Sequence, residues 1–232
     1  VFVNLDPDAP PLTEFLGVVA DDLSDFSTAD GALHLIGHTE REVAANWKLP
    51  VDANIETYHV NTVHRNSAAK VLRQAATGIQ LLERGHSRML VRARDGIDLG
   101  AGLPFPPVIT SAGNLPNTGT FSYAVFPNLN IVFSGQGFVF LITNWPATPE
   151  TSTYHVHWCS SLSPDTDEGR AANEMFIRFN QEVLFEDLDV VSDAGLYYDS
   201  GVWVMSGRFA VQSVIANNGG VMSVSLRAVP ID

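Results

Sequence analysis

Cysteine is nearly absent from this chain: Cys159 is the only one in 232 residues. A single thiol closes no disulfide within the chain and cannot supply the several thiolates of a zinc ribbon or an iron–sulfur cluster. With no base or cation beside it in sequence, Cys159 reads as a passive strand residue. Long apolar runs are also missing. The most apolar stretch, residues 137–143, falls far short of the roughly 20 residues of a membrane span, and no basic-then-apolar signal segment opens the chain. A cytoplasmic protein with no membrane partner is the expectation. Basic residues are scarce, 13 Lys and Arg against 26 Asp and Glu, for a formal net charge of −13. Phosphate backbones would be repelled, so nucleic acid is not an expected partner. There is no internal repeat and no low-complexity tract.

What is present suits one large domain, since 45% hydrophobic content supports a substantial core. Strand-like stretches at 33–42, 89–94, 121–126, 130–133, 138–144 and 151–161 are divided by Gly, Pro and Asn. Residues 1–6 read as a strand already running where the chain begins, so a preceding segment is expected. Residues 12–23 have the character of a short surface helix. Two further helices are expected over 50–63 and 167–193, with Gly195 as a C-terminal stop. A run of strands flanked by a few helices points to an α+β fold with an antiparallel sheet rather than a doubly wound one.

The candidate chemistry lies on the second and third of these helices. At about 100° per residue, Val51, Ile55, Tyr58, His59 and Thr62 share one stripe, which turns His59 inward with Glu56 one turn before it. His64, five residues on, would point roughly 140° away in a straight α-helix. The pair can share an ion only if the helix ends near Asn61 or carries a π-type bulge; on spacing alone, one core and one surface histidine is the simpler reading. In the later helix, Phe176, Phe179, Val183, Leu184, Val190 and Val191 form an apolar stripe with Asp187 at its centre, while Glu186 lies about 80° to one side. A buried carboxylate needs a partner. Either Asp187 pairs with an arginine such as Arg178 or Arg92, or it joins His59 and His64 as a third ligand, a set that leaves positions open on Fe(II).

Other histidines are weaker candidates. His34 and His38 lie in a strand-like segment around Gly37. His155 and His157 alternate with Tyr154, Val156 and Trp158, so they occupy the opposite strand face, and no third ligand is marked nearby. His86 reads as a turn residue.

Asn46-Trp47-Lys48-Leu49 followed by Glu56-x-Tyr58-His59-x4-His64 resembles the signature of Rieske non-heme iron oxygenases, in the catalytic domain of their large subunit. Phe126-Pro127-Asn128 and Glu186-Asp187 are similar to further segments of that family, and residues 1–7 resemble the stretch that leaves its Rieske domain. The sequence departs from the pattern at Asp52, where Asn is common, and at Asp193, where Gln is frequent. The resemblance implies a helix-grip fold, an antiparallel β-sheet wrapped around a long C-terminal helix. It implies mononuclear Fe(II) on His59, His64 and Asp187, and a role for Glu56 in linking that iron to the Rieske cluster of a neighbouring subunit.

Residues 1–232 are then expected to be one mononuclear iron catalytic domain, with a [2Fe–2S] Rieske domain upstream. The implied activity is hydroxylation, dihydroxylation or N/O-demethylation of a small organic substrate, an aromatic compound or a quaternary amine. O2, a ferredoxin or reductase donor and a homotrimeric assembly complete the implied partners, and this chain by itself should bind iron without turning over. Phe126, Phe133 and Trp145 are candidates for the cavity lining. The rival reading is a non-enzymatic helix-grip domain that binds a small apolar molecule, with Asp187 in a salt bridge.

Overall fold

Alternation is cleanest at Ser152–Ser160, where Ser152, Tyr154, Val156, Trp158 and Ser160 are buried and the residues between them are half-buried. A strand with that pattern has a packed face and a wetter one, and its neighbours repeat the rule. The computed structural model describes residues 2–25, 33–100, 115–135 and 137–199. Among these, β1 (His34–Val43), β2 (Leu72–Leu81), β3 (Ser87–Ala93), β4 (Gly119–Val125), β5 (Leu129–Ser134), β6 (Phe138–Pro146) and β7 (Ser152–Ser160) form one antiparallel sheet. Its order is β1-β7-β6-β5-β4-β3-β2. Strands adjacent in sequence pair antiparallel from β2 through β7, whereas β1 pairs with β7 across more than a hundred residues.

The long helix α4 (Asp167–Asp199) crosses one face of this sheet. The Thr166 hydroxyl accepts the Gly169 N–H at 3.0 Å, and Asp167 and Glu168 sit in the first turn, where a carboxylate complements the exposed N–H groups. Phe176, Leu184, Leu188 and Val191 of α4 pack against Phe138, Phe140, Ile142, Tyr154, Val156 and Trp158, and the Phe138 and Phe176 rings stack at 3.6 Å between centroids. Burying Leu188, 1% exposed, contributes roughly 1.5–3 kcal/mol. Over β4, β5 and β6 the opposite face is covered by α1 (Leu12–Leu16) and α2 (Val18–Asp25), whose Leu16 and Val19 meet Tyr123, Val125, Ile131, Phe133 and Val139. Arg88 donates to Asp22 to pin α2 to the sheet.

Several expectations are corrected. The helix expected over 12–23 is two helices, because Gly17 at φ +52° turns the chain between them. Gly195 does not stop α4, which runs to Asp199; a helix-interior glycine costs only about 1 kcal/mol. No strand forms over residues 2–6, where Phe2, Val3 and Leu5 are exposed without a ladder partner. The helix expected over 50–63 is only α3, Lys48–Ala53. Asn46 accepts the Lys48 N–H at its start, and at its end the Asn54 side chain donates to the Pro50 carbonyl. The side chain of Asp193 and the segments 101–114 and 200–232 lie outside the described residues. No helix among the described residues is long and apolar enough to cross a membrane.

Candidate metal centre

Beyond α3 the chain runs through consecutive turns to Ser67 instead of continuing as a helix. Thr57 hydrogen-bonds Thr77 at 3.1 Å, and Gln74 donates to the Tyr58 carbonyl at 3.2 Å, so β2 holds this segment out of helical register. Its hydrogen bonds mix spacings: both Thr62 and Val63 donate to the His59 carbonyl, His64 donates to Val60, and Ala69 reaches back five residues to the His64 carbonyl. That irregularity removes the angular conflict between residues five apart. The His59 and His64 Nε2 atoms stand 3.2 Å from each other. The stripe expected on a helix is absent, and Tyr58 is 57% exposed.

Asp187 projects from α4 into the same point. Its Oδ1 lies 3.2 Å from His59 Nε2 and 2.9 Å from His64 Nε2. The three side chains are 19%, 4% and 13% exposed for His59, His64 and Asp187, so the cluster is largely shielded from water. Asp187 thus pairs with the two histidines, while Arg92 and Arg178 are exposed.

Two further carboxylates orient the rings. Glu56 accepts a hydrogen bond from His59 Nδ1 and another from the Tyr58 N–H. Glu186 accepts from His64 Nδ1 at 2.8 Å and from the Ser67 hydroxyl. Each carboxylate holds a proton on Nδ1, so Nε2 points inward as the ligating atom, the arrangement typical of metal-bound imidazoles. Glu186 and Ser67 were missed by sequence reasoning. Helical geometry puts Glu186 beside the apolar stripe, and its signal is the Glu186-Asp187 pair, which marks the segment without assigning Glu186 a partner.

Electrostatics follow from this packing. Burial alone would lower the pKa of His59, but Asp187 and Glu56 outweigh it and push the group up to about 10. His64 is raised as well: burial opposes, while Asp187 and Glu186 prevail. Burial would raise Asp187, yet its bonds to His59 and His64 hold it below the usual carboxylate range. On α3, burial pushes the Asp52 carboxyl up to about 6, against the pull of Lys48.

The donor set fits a ferrous ion. Ligands at right angles with bonds of about 2.1 Å stand about 3.0 Å apart, close to the 3.2, 3.2 and 2.9 Å edges of this triangle. Two imidazoles and one carboxylate on one side of an ion leave its other side open.

His59, His64 and Asp187 line a pocket of about 900 Å³, solvent at its mouth included. It lies between the sheet and α4, and Val60, Met89, Val91, Val132, Phe140 and Val183 supply much of its wall. Phe126, Phe133 and Trp145 are not in it. Phe126 and Trp145 are about half exposed, and Phe133 packs on the opposite face under α1 and α2. His86 closes the Glu83–Gly85 turn and is buried there, with Nε2 donating to the Phe15 carbonyl at 2.9 Å and Nδ1 accepting from the Phe126 N–H at 3.0 Å.

Residues 30–201 match the family described as ring hydroxylating alpha subunit (catalytic domain). No curated protein sequence matches the chain. Among solved structures, a quaternary ammonium Rieske monooxygenase associated with carnitine oxidation by gut microbiota superposes with a TM-score of 0.67 at 20% identity, over 89% of this chain and 52% of that one. The quaternary ammonium Rieske monooxygenase CntA with an inhibitor gives 0.66 at 20% identity, over 86% and 49%. Naphthalene 1,2-dioxygenase from Rhodococcus sp. bound to indole gives 0.60 at 19% identity, over 81% and 50%. The chain spans about half the length of these structures, and at such identities the likeness is one of fold. Sheet, gripping helix and family match agree: the chain belongs to the ring-hydroxylating alpha-subunit family of oxygenases, in its catalytic domain.

Proposed function

We propose that this chain is the mononuclear iron domain of a terminal oxygenase that hydroxylates, dihydroxylates or demethylates a small organic substrate. The convergence of His59, His64 and Asp187 beside an apolar pocket carries this reading. His59, His64 and Asp187 would hold a ferrous ion, which when bound would supply the redox chemistry of dioxygen activation. Electrons would come from a Rieske [2Fe–2S] centre on a separate domain, itself reduced by a ferredoxin or reductase, in an assembly expected to be a trimer.

The chain's own residues have distinct tasks. His59 and His64 present their Nε2 lone pairs, and Asp187 contributes Oδ1. Glu56 and Glu186 keep the rings in place and the Nδ1 protons where they are. The wall of Val, Leu, Met and Phe side chains excludes water and orients an apolar surface. No arginine or lysine lines the pocket among the described residues, and its two carboxylates are engaged with histidine. This favours an uncharged substrate over one carrying a carboxylate of its own.

Anaerobic loading with Fe(II), followed by iron analysis, tests the reading. One iron per chain is expected for the wild type and near none for His59→Ala; equal uptake by both would overturn it. Glu56 would carry the link to a neighbouring subunit's cluster. In the complete enzyme, Glu56→Gln is expected to retain iron while slowing single turnover by at least about tenfold, roughly 1.4 kcal/mol in barrier.

A further inference from the structure

We propose that His38, Glu40 and His155 form a second divalent-metal site, on the outer face of the sheet, with zinc as its favoured ion. The site goes beyond the oxygenase reading and uses none of its residues. It arises from strand register. In the β1–β7 ladder Leu35 pairs with Cys159, yet Gly37 pairs with Trp158, so one extra residue is inserted between them. A one-residue slip moves every following side chain to the other face. Past the bulge, His38 lies opposite His157 and Glu40 opposite His155. Tyr154, Val156 and Trp158 are buried toward α4, which puts this polar group on the far side.

The geometry suits a small ion. His38 Nε2 is 3.2 Å from His155 Nδ1, and Glu40 Oε2 is 3.6 Å from the same nitrogen. Tetrahedral ligands with bonds of about 2.0–2.1 Å stand about 3.3 Å apart. All three ligand atoms lie within 4.8 Å of one another. The rings of His38 and His155 are near-parallel, 14° between planes, and His157 leans on His38 at 4.7 Å between centroids. Two imidazoles and a carboxylate are a borderline donor set, well matched to Zn²⁺ with water completing the shell. The net charge of −13 favours cations generally. Because β1 is an edge strand whose only ladder partner among the described residues is β7, an ion there would bridge two strands that only folding brings together.

The competing explanation is an exposed histidine pair sharing one proton, and metal counting separates the two. The wild-type chain and a His38→Ala/His155→Ala variant would be titrated with Zn²⁺ by calorimetry, with equilibrium dialysis to count ions. The variant is expected to bind one equivalent fewer. Saturating zinc should raise the Tm of the wild type by about 5 °C more than that of the variant. Equal equivalents in the two proteins would overturn the proposal. His64→Ala provides the second arm: it removes the buried cluster, so it should retain the surface equivalent, and a His64→Ala protein that takes up no zinc also overturns it. Failure of the iron reading would leave the difference between wild type and the double variant untouched.

Discussion

Two groups of histidine and carboxylate lie on opposite faces of one sheet, and each brings three ligand atoms within 4.8 Å. The buried group, His59, His64 and Asp187, is backed by Glu56 and Glu186, which anchor the far nitrogen of each ring. The exposed group, His38, Glu40 and His155, has only a neighbouring imidazole behind it, and Glu40 is 58% exposed. The difference teaches that proximity alone is cheap on a strand face, where register supplies it. A shielded site with fixed tautomers requires several elements: a distorted loop, a helix and the strand that holds the loop.

The sharpest way to break this comparison is to remove the shared carboxylate. Asp187→Ala leaves the His59 and His64 Nε2 atoms facing each other with no carboxylate between them, and iron affinity at this site is expected to fall by more than about a thousandfold, the loss of one of three ligands exceeding the 10–100-fold typical of an outer-shell partner. Zinc uptake at the outer face should be unchanged. Calorimetric titration of both metals into one variant reads both sites.

Removing a backing group tests the next level. Glu186→Ala frees the His64 ring while leaving every ligand in place, so iron affinity should drop about 10–100-fold. A value equal to wild type would mean that packing, not Glu186, orients His64.

Acid–base behaviour gives a smaller effect with a definite sign. Because the folded-state pKa of His59 is raised, to about 10, the iron-free folded protein holds protons that the unfolded chain releases near pH 6.5. Its stabilisation is full below about pH 6.5 and is lost as pH climbs toward about 10. Asp187 has the opposite sign: its lowered pKa contributes stability above the usual carboxylate range, which is lost as pH falls through its folded value. Urea denaturation of iron-free protein should therefore show stability declining from pH 6.5 to 10, with a flatter profile in His59→Ala. Iron binding should release protons over the same range.

The smallest change is expected on the outer face. Without metal, Glu40→Gln alters an exposed contact, and its effect on stability should stay within about 0.5 kcal/mol. A larger loss in urea denaturation would mean that the exposed cluster is structural.

Much of this architecture is legible in the residues. Six of the seven described strands are marked by alternation and turn residues, and Asp187 stands out because a 3.6-residue period places it amid apolar neighbours. β2 is not marked: Leu72–Leu81 is an edge strand with small and polar residues, and its register with β3 shifts between Leu72 and Thr77. The loop from Asn54 to Ser67 is not legible either, since its helical appearance ends where contacts from β2 intervene.

The sequence by itself determined six of the seven described strands, the long helix α4, the inward carboxylate and, through the Glu56-x-Tyr58-His59-x4-His64 motif, the histidines to watch. Local periodicity carries that much because helix and strand repeats depend on neighbours a few residues apart. Only the tertiary structure decided that His59 and His64 face one point, that Glu186 backs His64 from 122 residues away, and that a bulge in β1 brings His38 and Glu40 to His155. Those outcomes depend on non-local register and on loop distortion set by packing, and neither leaves a periodic trace in the chain.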